Sequence, residues 1–196
     1  MLHELIVSKV RIKLLKIFLH ELTEIFYVRQ LVRLTGEEIN AVRRELQRLE
    51  AAGMLKKEPR GNRLYYWFNK HHPLFGDLLS IISKTVGLGG QLVENKHKLG
   101  RINFALLAGR FARHLPTREG EVDLLVVGEI KMAELVNLIK LEERQLQREI
   151  NYSVMTRQEF EFRRRRRDPF LLGILTGSRI MLLGDEEDLV GRVPNA

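Results

Sequence analysis

Apolar residues recur at helical spacing through the first part of the chain and gather in compact runs through the second. Val10, Leu14, Ile17 and Phe18 mark an amphipathic helix beginning near Ser8. Phe26-Tyr27-Val28 has the pattern of a short strand, and residues 29–34 that of a short helix presenting Leu31, Val32 and Leu34. Ile39, Val42, Leu46 and Leu49 then share one side of a longer helix. Thr35 and Glu38 have the spacing of a capping box for that helix, and Gly53 stands where a left-handed C-terminal cap is expected. Met54-Leu55-Lys56-Lys57-Glu58, the turn Pro59-Arg60-Gly61-Asn62 and Arg63-Leu64-Tyr65-Tyr66-Trp67-Phe68 together predict a β-hairpin. Phe75, Leu78, Leu79, Ile82 and Val86 give one more amphipathic helix, whose stripe reads as exposed and able to meet its own domain or a second copy.

Three glycines in Gly87-Leu88-Gly89-Gly90 weaken a helix and allow a hinge, which sets the domain boundary at 88/89 to within about ten residues. Beyond it the pattern changes. Residues 102–107 are a compact apolar run ending in Ala108-Gly109. Glu121-Val122-Asp123-Leu124-Leu125-Val126-Val127 is a buried-strand pattern closed by Gly128. Residues 132–146 form a helix through Leu135, Leu138, Ile139 and Leu146, and residues 150–155 a third strand. Thr156-Arg157-Gln158-Glu159 caps another helix, Asp168-Pro169 starts a further one, and residues 179–183 make a last short strand ending at Gly184. Strands alternating with helices predict an α/β domain with a small mixed sheet. The fold class expected is therefore α+β in two domains, over residues 1–88 and 89–196.

Composition sharpens the first domain. The chain of 196 residues carries a net charge of +8, and its charged fraction of 30% exceeds the usual quarter. Residues 1–90 hold 15 Lys and Arg against 9 Asp and Glu, while residues 91–196 hold 18 against 16. The surplus sits with the helix and hairpin, the electrostatic footprint of a polyanion partner. Asn40, Arg43, Arg44 and Gln47 share a side of the long helix away from its apolar stripe, and these side chains reach base edges and phosphates. Helix, short helix, tight turn, longer helix and hairpin is the order of a winged helix-turn-helix. No run of ~18 apolar residues predicts a membrane span, and the start lacks the basic and apolar regions of a signal peptide. With no cysteine, disulfides and thiolate metal sites are excluded, which fits a cytoplasmic protein.

Residues 8–86 resemble the winged-helix DNA-binding domains of the ArsR-like class of transcriptional regulators. Arg48-Leu49-Glu50-Ala51-Ala52-Gly53-Met54-Leu55 is similar to their junction between recognition helix and wing. The resemblance implies that the helix over 37–52 enters the major groove of double-stranded DNA. Arg43 and Arg44 would contact guanine or phosphate, Asn40 and Gln47 adenine, and Lys56, Lys57, Arg60 and Arg63 the flanking backbone. Glu38 and Glu45 would repel phosphate if they faced the groove. The alternative is a winged helix used only for protein contacts, with arginines on a solvated face. Tyr65, Tyr66 and Trp67 read as strand core and rim rather than base-stacking groups.

From Phe104 onward the chain resembles the minimal nucleotidyltransferases of the polymerase-β-like superfamily. Leu106-Leu107-Ala108-Gly109-Arg110-Phe111-Ala112-Arg113-His114 is similar to their Gly-Ser-x-Ala-Arg-Gly signature, and Glu121-Val122-Asp123 to their Asp-x-Asp strand. The resemblance implies a nucleotide site at Gly109, Arg110 and Arg113, with Glu121 and Asp123 as catalytic metal ligands for Mg²⁺ and a nucleoside triphosphate. The departures are specific. Arg110 replaces the serine, His114 the glycine, and Glu121 the first aspartate, while Ile150-Asn151-Tyr152-Ser153-Val154 offers no third carboxylate. A site short of a ligand holds Mg²⁺ poorly, so the domain reads as degenerate, serving sensing or assembly. Glu121 and Asp123 are equally readable as surface acids bridged to Arg110 or Arg113.

Other signals carry less. Arg163 to Arg167 reads as a solvated helix end or as an auxiliary nucleic-acid or nucleotide contact. The histidines have no zinc-site spacing, and no Walker or dinucleotide fingerprint is present. The expectation is a cytoplasmic, homodimeric transcriptional regulator that binds DNA, needs no cofactor and associates with no membrane. A Mg²⁺-dependent nucleotidyltransferase acting on a protein or small molecule, and an antitoxin-like partner of another protein, are the alternatives.

Overall fold

The computed structural model describes residues 2–113, 115 and 120–191 of an α+β protein. It divides into two compact units, Met1–Ile82 and Ser83–Ala196. Among the described residues no helix is long and apolar enough to cross a membrane.

The first unit runs α1 (Leu2–Leu5), α2 (Lys9–His20), β1 (Phe26–Tyr27), α3 (Val28–Thr35), α4 (Ile39–Ala51), β2 (Leu55–Arg60), β3 (Arg63–Phe68) and α5 (Phe75–Ser83). Ser8 starts α2 by accepting the Arg11 amide at 3.2 Å. The helix buries Ile12, Leu14, Leu15, Phe18 and Leu19. Thr35 does not cap α4. Gly36 turns left-handed at φ 65° and ends α3, so Thr35 is still helical, and its hydroxyl donates back to the Leu31 carbonyl at 2.7 Å. Glu38 caps α4 instead, its carboxylate accepting the Asn40 amide at 2.8 Å. At the other end Gly53 adopts φ 72°, and the Met54 amide reaches the Leu49 carbonyl at 3.0 Å, as a Schellman cap requires.

The three strands pair antiparallel in the order β1-β3-β2. Arg60 faces Arg63, so the turn is the two residues Gly61-Asn62, and Pro59 belongs to β2 rather than to the turn. Gly61 takes φ 59°, the sign a II′ hairpin demands of its first central residue. A proline is tolerated because β2 is an edge strand. One face of the sheet buries Phe26, Leu55, Tyr66 and Phe68. The stripe on α5 that reads as exposed is turned inward. Leu79 and Ile82 are buried, and Phe75 packs on Phe68 with ring centroids 5.7 Å apart.

The second unit comprises α6 (Gly87–Glu94), β4 (Gly100–Ala108), a 3₁₀ turn (Phe111–Arg113), β5 (Leu124–Ile130), α7 (Met132–Leu146), β6 (Tyr152–Met155), α8 (Arg157–Arg165), α9 (Pro169–Thr176), β7 (Arg179–Leu183) and α10 (Glu186–Val190). Its mixed sheet has the order β6-β5-β4-β7, parallel only between β5 and β6. Phe104, Leu106, Leu125 and Val127 meet Phe160 of α8, Leu171 and Ile174 of α9 and Leu189 of α10 in one core. Burial of every residue from Phe104 to Ala108 and from Leu124 to Val127 means that both sheet faces are covered. Thr156 and Asp168 cap α8 and α9 as their spacing predicts.

The glycine cluster is not a hinge. It lies within α6, beyond the division between the units, and Gly89 and Gly90 are buried. A Cβ on Gly89 would stand 2.1 Å from the Ser83 carbonyl oxygen and 2.9 Å from Leu182. Close backbone approach, rather than flexibility, requires glycine there. Alanine at an exposed helical glycine gains about 1 kcal/mol. At this position overpacking, of about 1–3 kcal/mol, opposes that gain. Gly89→Ala is expected to lower stability in urea unfolding, whereas an unchanged or raised midpoint would return the segment to a hinge.

Candidate nucleic-acid interface

Helix α4 is oriented by what it buries. Val42, Leu46 and Leu49 form its apolar inner face. Glu45 lies among them, 5% exposed, and its carboxylate accepts from Arg11 of α2 at 2.8 Å and from Arg48 one turn on at 2.8 Å. Burial pushes the Glu45 carboxyl up, but the hydrogen bond and charge of Arg11, joined by hydrogen bonds from Arg48 and Ser8, outweigh it and hold the group below its ordinary value. Glu45 therefore faces inward, where it cannot repel a phosphate. Glu38 is engaged at the helix start.

With that face inward, Asn40, Arg43, Arg44 and Gln47 are all exposed. Among the described residues, the guanidinium groups of Arg43 and Arg44 enter no hydrogen bond or ion pair. The structure thus brings the four helical candidates onto one open surface.

It divides the hairpin cations. Lys57 stands on the sheet face that adjoins α4, 3.0 Å from the Glu50 carboxylate, which holds its ammonium above the usual range. Burial raises the Tyr66 phenol, the charge of Glu50 adds to that shift, and the charges of Lys57 and Arg43 oppose it. Strand alternation sends Lys56 and Arg60 of β2, and Arg63 of β3, to the opposite face. There Arg60 pairs with Glu58 at 2.9 Å, and Arg63 lies 4.8 Å from the centre of the Tyr27 ring. Tyr66 is core, while Tyr65 and Trp67 are half-buried rim. Sequence reasoning missed Arg11, the partner that fixes the helix. Only the Glu45–Arg48 spacing hinted at an ion pair.

In the second unit the topology gathers Gly109, Arg110, Arg113, Glu121 and Asp123 at one end of β4 and β5. The Ala108 amide donates to the Asp123 carbonyl at 2.9 Å, and Glu121 lies close to Gly109. His114 lies outside the described residues. The two carboxylates do not alternate along a strand, because β5 begins at Leu124. Asp123 is wholly buried and accepts the Asn151 amide at 3.0 Å, tying the start of β5 to β6. The Arg148 guanidinium lies 3.9 Å from the same carboxylate and over the Phe111 ring. A carboxylate with no exposure and a cation beside it is a poor ligand for Mg²⁺, which keeps several waters. Among the described residues no group of three His, Cys, Asp or Glu gathers as a metal site. These residues fit a structural latch better than a metal centre.

Two measurements check these arrangements. A carboxyl held low in the folded state stabilises above its unfolded value of 4.5, and that contribution disappears as pH falls through the folded value. Glu45→Gln is expected to cost about 1–3 kcal/mol at pH 7. The deficit should shrink below pH 4.5 in unfolding curves taken across the acid range. Asp123→Ala should cost a similar amount, about 1–3 kcal/mol, equally with Mg²⁺ and with a chelator. A midpoint that Mg²⁺ raises in the parent protein alone would restore the metal site.

Comparison of the chain with protein families, with curated proteins and with solved structures finds no match.

Proposed function

We propose that the first unit is a winged helix-turn-helix and that the protein is a DNA-binding transcriptional regulator. Helix α4 enters the major groove, with Arg43 and Arg44 directed at guanine edges or phosphates and Asn40 and Gln47 at adenine. Lys57, on the hairpin face that adjoins α4, holds the flanking backbone, while Lys56, Arg60 and Arg63 lie on the other face and take no part in that contact. The observation that carries this reading is a pair of exposed guanidinium groups, without hydrogen bond or ion pair among the described residues, on a helix whose one buried acid is turned inward.

The second unit, in this reading, is a nucleotidyltransferase-like domain that has lost catalysis and serves sensing or assembly. The buried, hydrogen-bonded state of Asp123 supports the loss. Two copies on a palindromic operator suit such a regulator by symmetry. The α5 stripe does not argue for that pairing, since Leu79 and Ile82 are buried and Phe75 packs on Phe68.

Selection of genomic fragments followed by footprinting would supply the operator. On it, Arg43→Ala and Arg44→Ala should each weaken specific binding by about 1–3 kcal/mol and leave the unfolding midpoint unchanged. Lys57→Gln should weaken every duplex alike and reduce the dependence of log K on log salt by about 0.9. Retention of specific binding in the Arg43→Ala/Arg44→Ala double variant would refute the assignment.

A further inference from the structure

We propose that the outward face of the β1-β3-β2 sheet binds an unpaired nucleic-acid strand, on a surface separate from that of α4. Register puts Tyr27, Tyr65 and Trp67 on this face, with Lys56 opposite Trp67, Glu58 opposite Tyr65, and Arg60 opposite Arg63. The three rings are half-buried, so each is held in place and yet open to one side. Tyr27 and Tyr65 stand edge to face, centroids 5.7 Å apart. Arg63 lies over Tyr27 at 4.8 Å and Arg60 over Tyr65 at 5.6 Å, while Arg33 of α3 donates to the Tyr27 hydroxyl at 3.1 Å. Beside them a groove of about 510 Å³ is lined by Leu22, Ile25, Lys56, Arg60, Trp67 and Lys70.

Aromatic rings interleaved with cations are what an unpaired strand requires. Bases stack on the rings and on guanidinium planes, while the phosphates run past the charges. In a duplex the bases are already stacked on one another and cannot use such rings. The charge is complementary to a polyanion: Lys56, Arg60 and Lys70 line the groove against Glu24 and Glu58, Glu58 is taken by Arg60, and Arg33 and Arg63 add two cations at Tyr27. Lys56 and Lys70 enter no hydrogen bond or ion pair among the described residues. The groove has the volume of a small-ligand pocket, enough for a nucleobase at Trp67. This assignment is independent of the duplex reading, because it uses the opposite face of the hairpin.

Trp67 is the one tryptophan of the chain, so its fluorescence reports this face alone. The full-length protein is titrated with an oligothymidylate and an oligouridylate of about ten nucleotides, a length within the usual site sizes for single strands. A duplex of the same length is the control. One or both single strands are expected to quench Trp67, and the tighter of the two identifies DNA or RNA as the source. The duplex should leave the emission unchanged. The Arg43→Ala/Arg44→Ala variant should quench like the parent, which separates this surface from α4. Replacing the exposed pair with Arg33→Gln and Lys70→Gln should weaken single-strand binding several-fold. It should also flatten the salt dependence by about 1.4, or 0.7 for each lost phosphate contact. Absence of quenching by either strand, quenching by the duplex, loss of quenching in the Arg43→Ala/Arg44→Ala variant, or unchanged affinity after Arg33→Gln and Lys70→Gln would each overturn the assignment.

Discussion

The first unit depends on one buried carboxylate. Glu45 lies in the seam between α2 and α4, and a lone charge there would be costly to desolvate. Arg11 and Arg48 make its position tolerable; Arg48 belongs to α4 itself, so it is the bond from Arg11 of α2 that constrains the rotation of α4 about its axis. That rotation also seats Val42, Leu46 and Leu49 inward. Apolar burial supplies the driving force, while the ion pair removes the freedom to roll. The outward direction of Arg43, Arg44 and Gln47 follows as a geometric remainder.

Much of this was legible in the residues. The helix over 132–146 and the strand over 179–183 coincide with the observed elements, because their apolar spacing and bounding residues agree. The Gly53 cap could be read as well, since few residues tolerate its φ of 72°. Other features needed the third dimension. Thr35 has the composition of a cap, but the position of Gly36 decides on which side of the turn it falls. Gly89 and Gly90 look like a hinge until the Ser83 and Thr85 backbones are found against them. Helix α10 is short, yet Asp185 followed by three acids is a strong start signal for it, and the Asp185 side chain accepts the Asp188 amide. Arg11, more than thirty positions from Glu45, left no local trace.

The candidate sites separate in the same way. Helical periodicity predicts which side Asn40, Arg43, Arg44 and Gln47 share, since one turn determines it. The hairpin cations form a single group in the sequence, yet a period of two residues sends Lys57 to one face and Lys56 to the other. In the second unit, Glu121 and Asp123 alternate in sequence as strand ligands should, but the strand begins only at Leu124, past both of them. Asp123 instead joins two adjacent strands through the Asn151 amide. Spacing located those residues near one another, whereas burial decided what they do.

The edge strand β2 carries a last implication. It bears Lys56, Lys57, Glu58, Pro59 and Arg60 in succession, every one of them exposed. Its unpaired backbone groups would otherwise invite another chain to extend the sheet. Proline deletes one donor from that row, and the crowd of like charges repels an identical neighbour. Edge-to-edge pairing of two copies through β2 is thereby disfavoured.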